Sequence, residues 1–185
     1  GEYIAYNKGN YYIESEKREF IDPEQIEWLK NDLKSTDKRC IVFSHQSLEC
    51  SVGNRDAVRG VLEEENKRAG FTKIPVAFSG HDHTNYTKDI NGITYIQINS
   101  ASNQWVGSKY ACPERFSDDI NQLKPSLKYT TPYKDALYAI VSLNNKGMEL
   151  KGVESSFVPP TPDDLGITGR EQPLVPWIKD FNLSF

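Results

Sequence analysis

The sequence contains three histidines, and the position of each one suits the chemistry of a metal ligand. His45 follows an apolar run that ends at Phe43, and His81 and His83 follow a second apolar run and Gly80. Neutral imidazole binds zinc, iron, manganese or nickel, and three converging imidazoles could hold such an ion. A histidine after a strand is often a structural or surface residue, so three imidazoles alone do not identify a reaction. His45, His81 and His83 are therefore candidate metal ligands, with a structural or surface role as the alternative for each.

Two predicted strands must position these histidines. Cys40–Phe43 and Ile74–Phe78 are short, continuous apolar runs, which are typical of strands buried on both faces of a parallel sheet. In open α/β sheets, ligand sites lie beyond the carboxyl ends of the strands, where the histidines stand. Gly80 permits a sharp exit from the second strand, so that His81 and His83 can both face one cleft.

Two helices are predicted to alternate with these strands. The first begins after Asp22, which can cap free backbone N–H groups, and ends near Lys34. The second begins at Asn54 or Arg55 and ends at about Ala69, before a glycine. The order helix, strand, helix, strand indicates a sheet that is at least partly parallel.

The rest of the chain indicates β-hairpins and a tail. Asn91-Gly92 between two strand-like runs is a strong hairpin signal, and residues 144–147 indicate a second hairpin. Residues 1–14 are expected to form an edge strand or a hairpin. Prolines dominate the end of the chain. We therefore predict a domain over residues 1–156 and an irregular tail over residues 157–185, whose apolar side chains pack on that domain.

These motifs resemble those of a known family. The strand before Ser44-His45, the block Gly80-His81-Asp82-His83 and the helix that starts at Asp22-Pro23-Glu24-Gln25 are similar to signature segments of the calcineurin-like metallophosphoesterases. The resemblance implies an α/β fold, as the C-terminal half of the family's α/β sandwich, with a mixed sheet, crossover helices and then β-hairpins. It also implies hydrolysis of phosphomonoesters or phosphodiesters by a two-metal mechanism.

The resemblance also implies a role for each histidine. His45 and His81 would bind one divalent ion and His83 the other, with zinc, manganese or iron as the metals. The family's three earlier blocks, D-x-H, G-D-x-x-D and G-N-H-[DE], do not occur in this sequence. We therefore expect a partial domain that binds one metal ion or none and is inactive by itself. The alternatives are a non-catalytic metal-binding or interaction module, and a structural α/β domain with incidental histidines.

Several polar and aromatic residues are candidate substrate contacts. Asp82, Asn99 and Asn103 lie near the histidine block or after the first hairpin, and a polar loop or a plain turn is the alternative for each. Large aromatic side chains could flank a substrate groove, although such residues are more often packing residues. These aromatic candidates are Trp105, Tyr110 and Trp177. The sequence does not identify a catalytic residue.

Composition limits the classes of partner. A net charge of −4 gives no support for binding to nucleic acid or to an anionic membrane. The run Glu63–Glu65 is expected to be a solvated helix face rather than a set of metal ligands. Cys50 and Cys112 could form a disulfide bond. The expected partner is a phosphoester substrate. Apolar surface left by the missing half of the sandwich is expected to favour self-association. The cellular location stays open.

Overall fold

The computed structural model describes residues 19–185, and these residues form an α/β fold with a mixed sheet. The predicted fold class, with crossover helices followed by β-hairpins, is confirmed. The prediction for residues 1–14 lies outside the described residues. In chain order the elements are α1 Pro23–Lys34, β1 Ile41–Phe43, α2 Arg55–Ala69, β2 Val76–Ser79, β3 Tyr86–Ile90, β4 Ile93–Gln97, β5 Asn103–Trp105, α3 Asp118–Leu123, β6 Thr130–Pro132, β7 Ala139–Asn144, β8 Gly147–Gly152 and β9 Phe181–Ser184.

The chain divides into two compact units. The first contains the described residues up to Ser79 together with Lys88–Tyr95, and the second contains Gly80–Thr87 and Ile96–Phe185. The division passes through β3 and β4. The predicted ranges, a domain over residues 1–156 and a tail over residues 157–185, stay a prediction.

The four-stranded sheet has the strand order β1-β2-β4-β3. Strands β1 and β2 are parallel, with Ile41 opposite Val76 and Phe43 opposite Phe78, and α2 forms the connection between them. The predicted partly parallel sheet is therefore confirmed. Asn91 and Gly92 both have positive φ, at 52° and 79°, which is the conformation of a two-residue hairpin turn.

Strand β1 is not buried on both faces, contrary to the sequence prediction. Phe43 is 74% exposed and stacks on the buried Phe78, with 5.3 Å between the ring centroids. Among the described residues β1 has one neighbouring strand, whereas β2 lies between β1 and β4. A continuous apolar run does not distinguish a terminal strand from a central one, and this is why the prediction was wrong for β1.

The two long helices begin and end where local signals predict. The Asp22 carboxylate accepts a hydrogen bond of 2.9 Å from the backbone N–H of Glu24, which satisfies one free donor of α1. Helix α2 ends at Gly70, whose φ of 76° only glycine adopts without strain. Both helices pack on one apolar core. Its buried members are Leu33, Leu48, Val52, Val58, Leu62, Ile74, Ala77, Ile93 and Tyr95.

Glu65 does not belong to a solvated face, and the prediction was wrong for this residue. Its side chain is 4% exposed and forms an ion pair of 2.6 Å with Lys73, which is 1% exposed. The Lys73 ammonium also donates to the backbone carbonyls of Leu33 and Thr36, and Arg68 donates two hydrogen bonds of 2.7 Å to Glu65. Glu65 lies three residues after the buried Leu62 and therefore shares its helix face. A charge in this position needs such partners.

The second unit contains two antiparallel sheets. Strand β5 pairs with β6, and the other sheet has the order β7-β8-β9. Strand β9 lies within residues 157–185, so part of the segment predicted to be irregular is a regular strand. The tail approaches Gly152 so closely that an added Cβ atom would lie 1.8 Å from the Ile178 carbonyl oxygen.

The structure also bears on the cysteines and on membrane insertion. Among the described residues, no disulfide joins Cys50 to Cys112, so the suggested pairing is not formed. Within residues 19–185, no helix combines the length and the apolar character required to cross a membrane.

Candidate functional site

The three histidines lie after two parallel strands. In the first unit, the Ser44 N–H donates to the Phe78 carbonyl at 3.0 Å, which extends the pairing beyond β1, and the exposed His45 comes next. In the second unit, His81 and His83 lie in the loop Gly80–Asn85 between β2 and β3. His81 is exposed, and His83 is half-buried.

The loop holds both of its histidines in an unusual backbone conformation. His81 has a φ of 68° and His83 a φ of 52°. The Asp82 N–H donates to the Gly80 carbonyl at 2.8 Å, which closes a tight three-residue turn around His81. Left-handed backbone at a residue with a side chain costs about 1–2 kcal/mol. Two such residues in one short loop point to a function that requires this conformation.

One nitrogen of His83 is fixed by a backbone contact. Nδ1 of His83 lies 2.8 Å from the backbone carbonyl oxygen of Asn103. A carbonyl oxygen can only accept, so Nδ1 carries the hydrogen and Nε2 carries the lone pair. Metal-binding histidines show this arrangement, in which a carbonyl or carboxylate orients the ring through its second nitrogen.

The electrostatic environment of His83 favours its neutral form. Burial lowers the pKa of His83, and the hydrogen bond to the Asn103 carbonyl opposes this change without cancelling it. Positive charge on His81 lowers the pKa further, because two like charges repel. Neutral imidazole is the form that binds a metal ion.

Gln104 holds the backbone of the loop. Its side chain is fully buried, and its amide Nε2 donates to the His83 carbonyl at 2.7 Å. Its Oε1 accepts from the Val175 N–H at 2.8 Å. The buried amide of Gln104 therefore connects the loop to the C-terminal segment around Val175. No signal in the sequence was used to predict this role of Gln104.

A second buried glutamine holds the side chains of the loop. Gln97 is 2% exposed, and its Nε2 donates to the Asp82 carboxylate at 3.1 Å and to the Tyr86 hydroxyl at 3.2 Å. Its Oε1 accepts from the Thr84 hydroxyl at 2.8 Å. Gln97 lies between two isoleucines, and an amide within an apolar strand is a signal that could have indicated a buried polar role.

The contacts of Asn99 indicate a positioning role. Asn99 is 4% exposed, and its Nδ2 donates to the carbonyls of Val175 at 2.8 Å and Trp177 at 3.2 Å. Its Oδ1 accepts from the Tyr133 hydroxyl at 2.9 Å. The predicted substrate contact of Asn99 stays a prediction.

Asn103 contacts His83 through its main chain. The side-chain Nδ2 donates to the Ser102 hydroxyl at 2.9 Å. The side-chain Oδ1 is buried, and no donor to it is found among residues 19–185. The role of Asn103 in substrate binding stays a prediction.

One of the three aromatic candidates contacts the histidine loop. The Trp105 ring is 44% exposed, and its centroid lies 6.0 Å from that of His83 at an interplanar angle of 39°. The Lys109 ammonium lies over the Tyr110 ring, and the backbone of Trp177 pairs with Glu154. Trp105 is therefore the aromatic candidate that the structure places beside a predicted ligand.

The loop contains side chains of the types that bind divalent metal ions. His81 and His83 supply two imidazoles, and the Asp82 carboxylate lies between them in the chain. Imidazole and carboxylate groups suit zinc, manganese and iron. Within residues 19–185, no group of three or more His, Cys, Asp or Glu side chains forms that could hold a metal ion.

The chain was compared with known proteins. Neither the protein-family profiles nor the curated proteins give a match. A similar solved structure is that of a dimetal phosphatase from Danio rerio, with 20% sequence identity and a TM-score of 0.46. The similarity covers 74% of this chain and 38% of the length of the phosphatase chain.

Proposed function

We propose that this chain is part of a metal-dependent phosphoesterase of the calcineurin-like type and carries histidine ligands of its two-metal site. The geometry of His83 is the single observation that carries the proposal. Its Nδ1 donates to the Asn103 carbonyl, its pKa is lowered, and its Nε2 is left to bind a metal ion. The left-handed backbone at His81 and His83 also supports the proposal, because strained residues cluster at functional sites.

The proposal assigns roles to the three histidines and to the residues around them. His45 and His81 would hold one divalent ion and His83 the other, as the family resemblance implies. When bound, the ions polarise a phosphoryl oxygen and activate a water molecule for in-line attack. Gln104 holds the His83 backbone, and Gln97 holds the Asp82 carboxylate, so that these groups are oriented before a ligand arrives.

The second candidate function is a non-catalytic metal-binding module. It is favoured by the finding that no group of three or more ligand side chains forms within residues 19–185. Two imidazoles in one loop can bind an ion, but a two-metal reaction requires more ligands than these. In the two-metal proposal, the further ligands come from polypeptide outside this sequence.

Metal titration together with activity assays tests both functions. The chain would be titrated with Zn²⁺ and Mn²⁺ by calorimetry, and hydrolysis of a chromogenic phosphodiester and phosphomonoester would be followed in the same samples. We expect metal binding that is lost in His83→Ala and His81→Ala, without turnover. Lys109→Ala, an exposed residue of the same unit, is the control that should bind as the unmodified chain does.

The outcomes separate the two candidates. Turnover that is abolished by His83→Ala would show that the chain completes its own site, and the module hypothesis would then be wrong. Metal binding that is unchanged in both histidine variants would overturn the metal-centre assignment. A longer polypeptide that contains the three earlier blocks and shows no metal-dependent hydrolysis would overturn the phosphoesterase proposal.

A further inference from the structure

The second unit contains a cavity of about 360 Å³, which lies within the range of about 300–1,000 Å³ that small-molecule sites occupy. Part of its lining comes from the end of β4, where Ile96 and Ile98 both line the cavity. Because side chains alternate along a strand, these two lie on one face and Gln97 lies on the other. Ile96 is 3% exposed, so this part of the lining is an apolar surface inside the unit.

The rest of the apolar lining comes from the C-terminal sheet and the residues before β9. Leu150 of β8 lies opposite Phe181 of β9, and both line the cavity together with Ile178. Leu150 and Ile178 are buried. Four aliphatic side chains and the ring of Phe181 therefore form a lining that suits an alkyl chain, because burial of CH₂ groups against such a surface is favourable.

Two exposed charged residues, Lys179 and Asp180, line the same cavity. The Asp180 carboxylate accepts from the Lys151 ammonium at 2.9 Å and from the Gly152 N–H at 3.0 Å, so its charge is compensated. The Lys179 backbone N–H donates to Asn85 Oδ1 at 3.1 Å, whereas the Lys179 ammonium finds no acceptor among residues 19–185. The lining therefore carries one uncompensated positive charge.

The neutral polar residues of the lining add hydrogen-bond donors to this charge. Asn85 uses its Oδ1 for the Lys179 N–H, which leaves its amide nitrogen to donate, and the Thr87 hydroxyl can also donate. An ammonium group is a compact single charge, so it matches a singly charged anion such as a carboxylate. The cavity thus combines an aliphatic lining with one cation and neutral donors.

We propose that this cavity binds a medium-chain fatty acid, with the alkyl chain against the aliphatic lining and the carboxylate at Lys179. The site includes none of the three histidines, so the inference goes beyond the proposed function and does not depend on it. Asn85 ends the histidine loop and lines the cavity, so the bound acid contacts the end of that loop.

A series of carboxylates tests the apolar part of the site. The chain without added metal would be titrated by calorimetry with butanoate, hexanoate and octanoate, below the concentrations at which these acids form micelles. Each additional CH₂ group that becomes buried should raise the affinity about 4-fold. Equal affinities across the series, or no binding of octanoate, would overturn the proposal.

Lys179→Gln tests the charged part of the site. We expect this variant to bind octanoate about 2- to 5-fold more weakly and to bind 1-octanol as the unmodified chain does. Lys109→Gln removes the same charge from an exposed residue outside the lining and should leave both affinities unchanged. Equal losses in the two variants, or 1-octanol that binds the unmodified chain as tightly as octanoate, would overturn the role of Lys179 in carboxylate binding.

Amide chemical shifts in NMR spectra would locate the bound acid. We expect octanoate to shift the signals of Asn85, Ile98 and Phe181 and to leave that of Lys109 unchanged. Shifts confined to residues outside the lining would overturn the assignment to this cavity. Because no metal ion takes part in these measurements, their failure leaves the proposed function standing, and a failure of metal binding leaves this inference standing.

Discussion

The buried amide of Gln104 donates a hydrogen bond of 2.7 Å to the backbone carbonyl of His83. The same side chain accepts from the Val175 N–H, so it is satisfied at both ends. A buried polar side chain with both ends paired can hold a loop in a single conformation, because each lost contact would leave an unpaired group. The C-terminal segment therefore contributes to the position of a predicted metal ligand.

Replacement of Gln104 by leucine should weaken metal binding, although this substitution removes none of the predicted metal ligands. Leucine leaves the His83 carbonyl and the Val175 N–H unpaired, so we expect about 1–3 kcal/mol of destabilisation. Loss of a residue that orients a ligand typically lowers metal affinity about 10- to 100-fold. Urea unfolding and Zn²⁺ calorimetry would measure the two effects.

Thr131→Val is the matched control for this variant. Thr131 lies opposite Gln104 in the β5–β6 pair, is equally buried, and its hydroxyl finds no partner among residues 19–185. We expect little change in stability or metal affinity. Equal losses of metal affinity in Thr131→Val and Gln104→Leu would contradict a positioning role for Gln104.

Glycine at position 81 should produce a more stable chain than alanine. The φ of His81 is 68°, which glycine adopts freely and alanine does not. We expect His81→Gly to be about 1 kcal/mol more stable than His81→Ala when both are unfolded in urea without metal. Both variants should lose metal affinity, because both lack the imidazole.

His45 provides the comparison for this prediction. His45 has no positive φ, so glycine has no advantage there and increases the entropy of the unfolded chain. His45→Gly should be no more stable than His45→Ala. The same ranking of glycine and alanine at positions 45 and 81 would show that the backbone of the loop is not strained.

The buried ion pair of Glu65 should make stability depend on pH in acid. Hydrogen bonds from Arg68, followed by the interaction with Lys73, lower the pKa of Glu65 from 4.5 to about 2. Ionised Glu65 therefore stabilises the folded chain above about pH 4.5, and this contribution is lost as the pH falls from about 4.5 towards about 2. Urea unfolding at a series of pH values would measure it.

Glu65→Gln should remove this part of the pH dependence. It should also destabilise the chain by about 3 kcal/mol at pH 7, because the Lys73 charge stays buried without its anionic partner. Glu64→Gln, at an exposed position of the same helix, should behave as the unmodified chain does. Equal acid sensitivity in Glu65→Gln and the unmodified chain would show that other groups control acid unfolding.

Exposed apolar residues on β7 should lead to association of two copies of the chain. Ile140 is 62% exposed and Leu143 is 54% exposed, and the strand contains no charged residue between Ala139 and Asn144. Such a strand can pair with an antiparallel second copy, and charged side chains prevent this pairing. We expect a concentration-dependent dimer in sedimentation velocity that is weakened in Ile140→Lys. A chain that stays monomeric at all concentrations would contradict this expectation.

Local signals in the sequence were sufficient for most of the regular elements. The Asp22 cap, the Gly70 stop and the Asn91-Gly92 turn each depend on residues that are close together in the chain. For this reason both long helices and the first hairpin were predicted correctly. The parallel pair β1 and β2 followed from the alternation of helices and strands.

Features that depend on distant residues could not be predicted in this way. The exposure of Phe43 depends on which strands lie beside β1, and the burial of Glu65 depends on Lys73 and on the end of α1. The roles of Gln97 and Gln104 depend on where the chain returns after the first hairpin and at Val175. None of these partners can be identified from spacing alone.

For the candidate site, the sequence by itself determined the residue types of the predicted ligands, their order after two strands and the glycine that begins the loop. Only the tertiary structure decided which nitrogen of His83 is left for a metal ion and which aromatic ring lies beside it. The reason is physical. Residue type and local backbone preference are properties of short segments, whereas hydrogen bonds and burial depend on contacts between segments that are far apart in the chain.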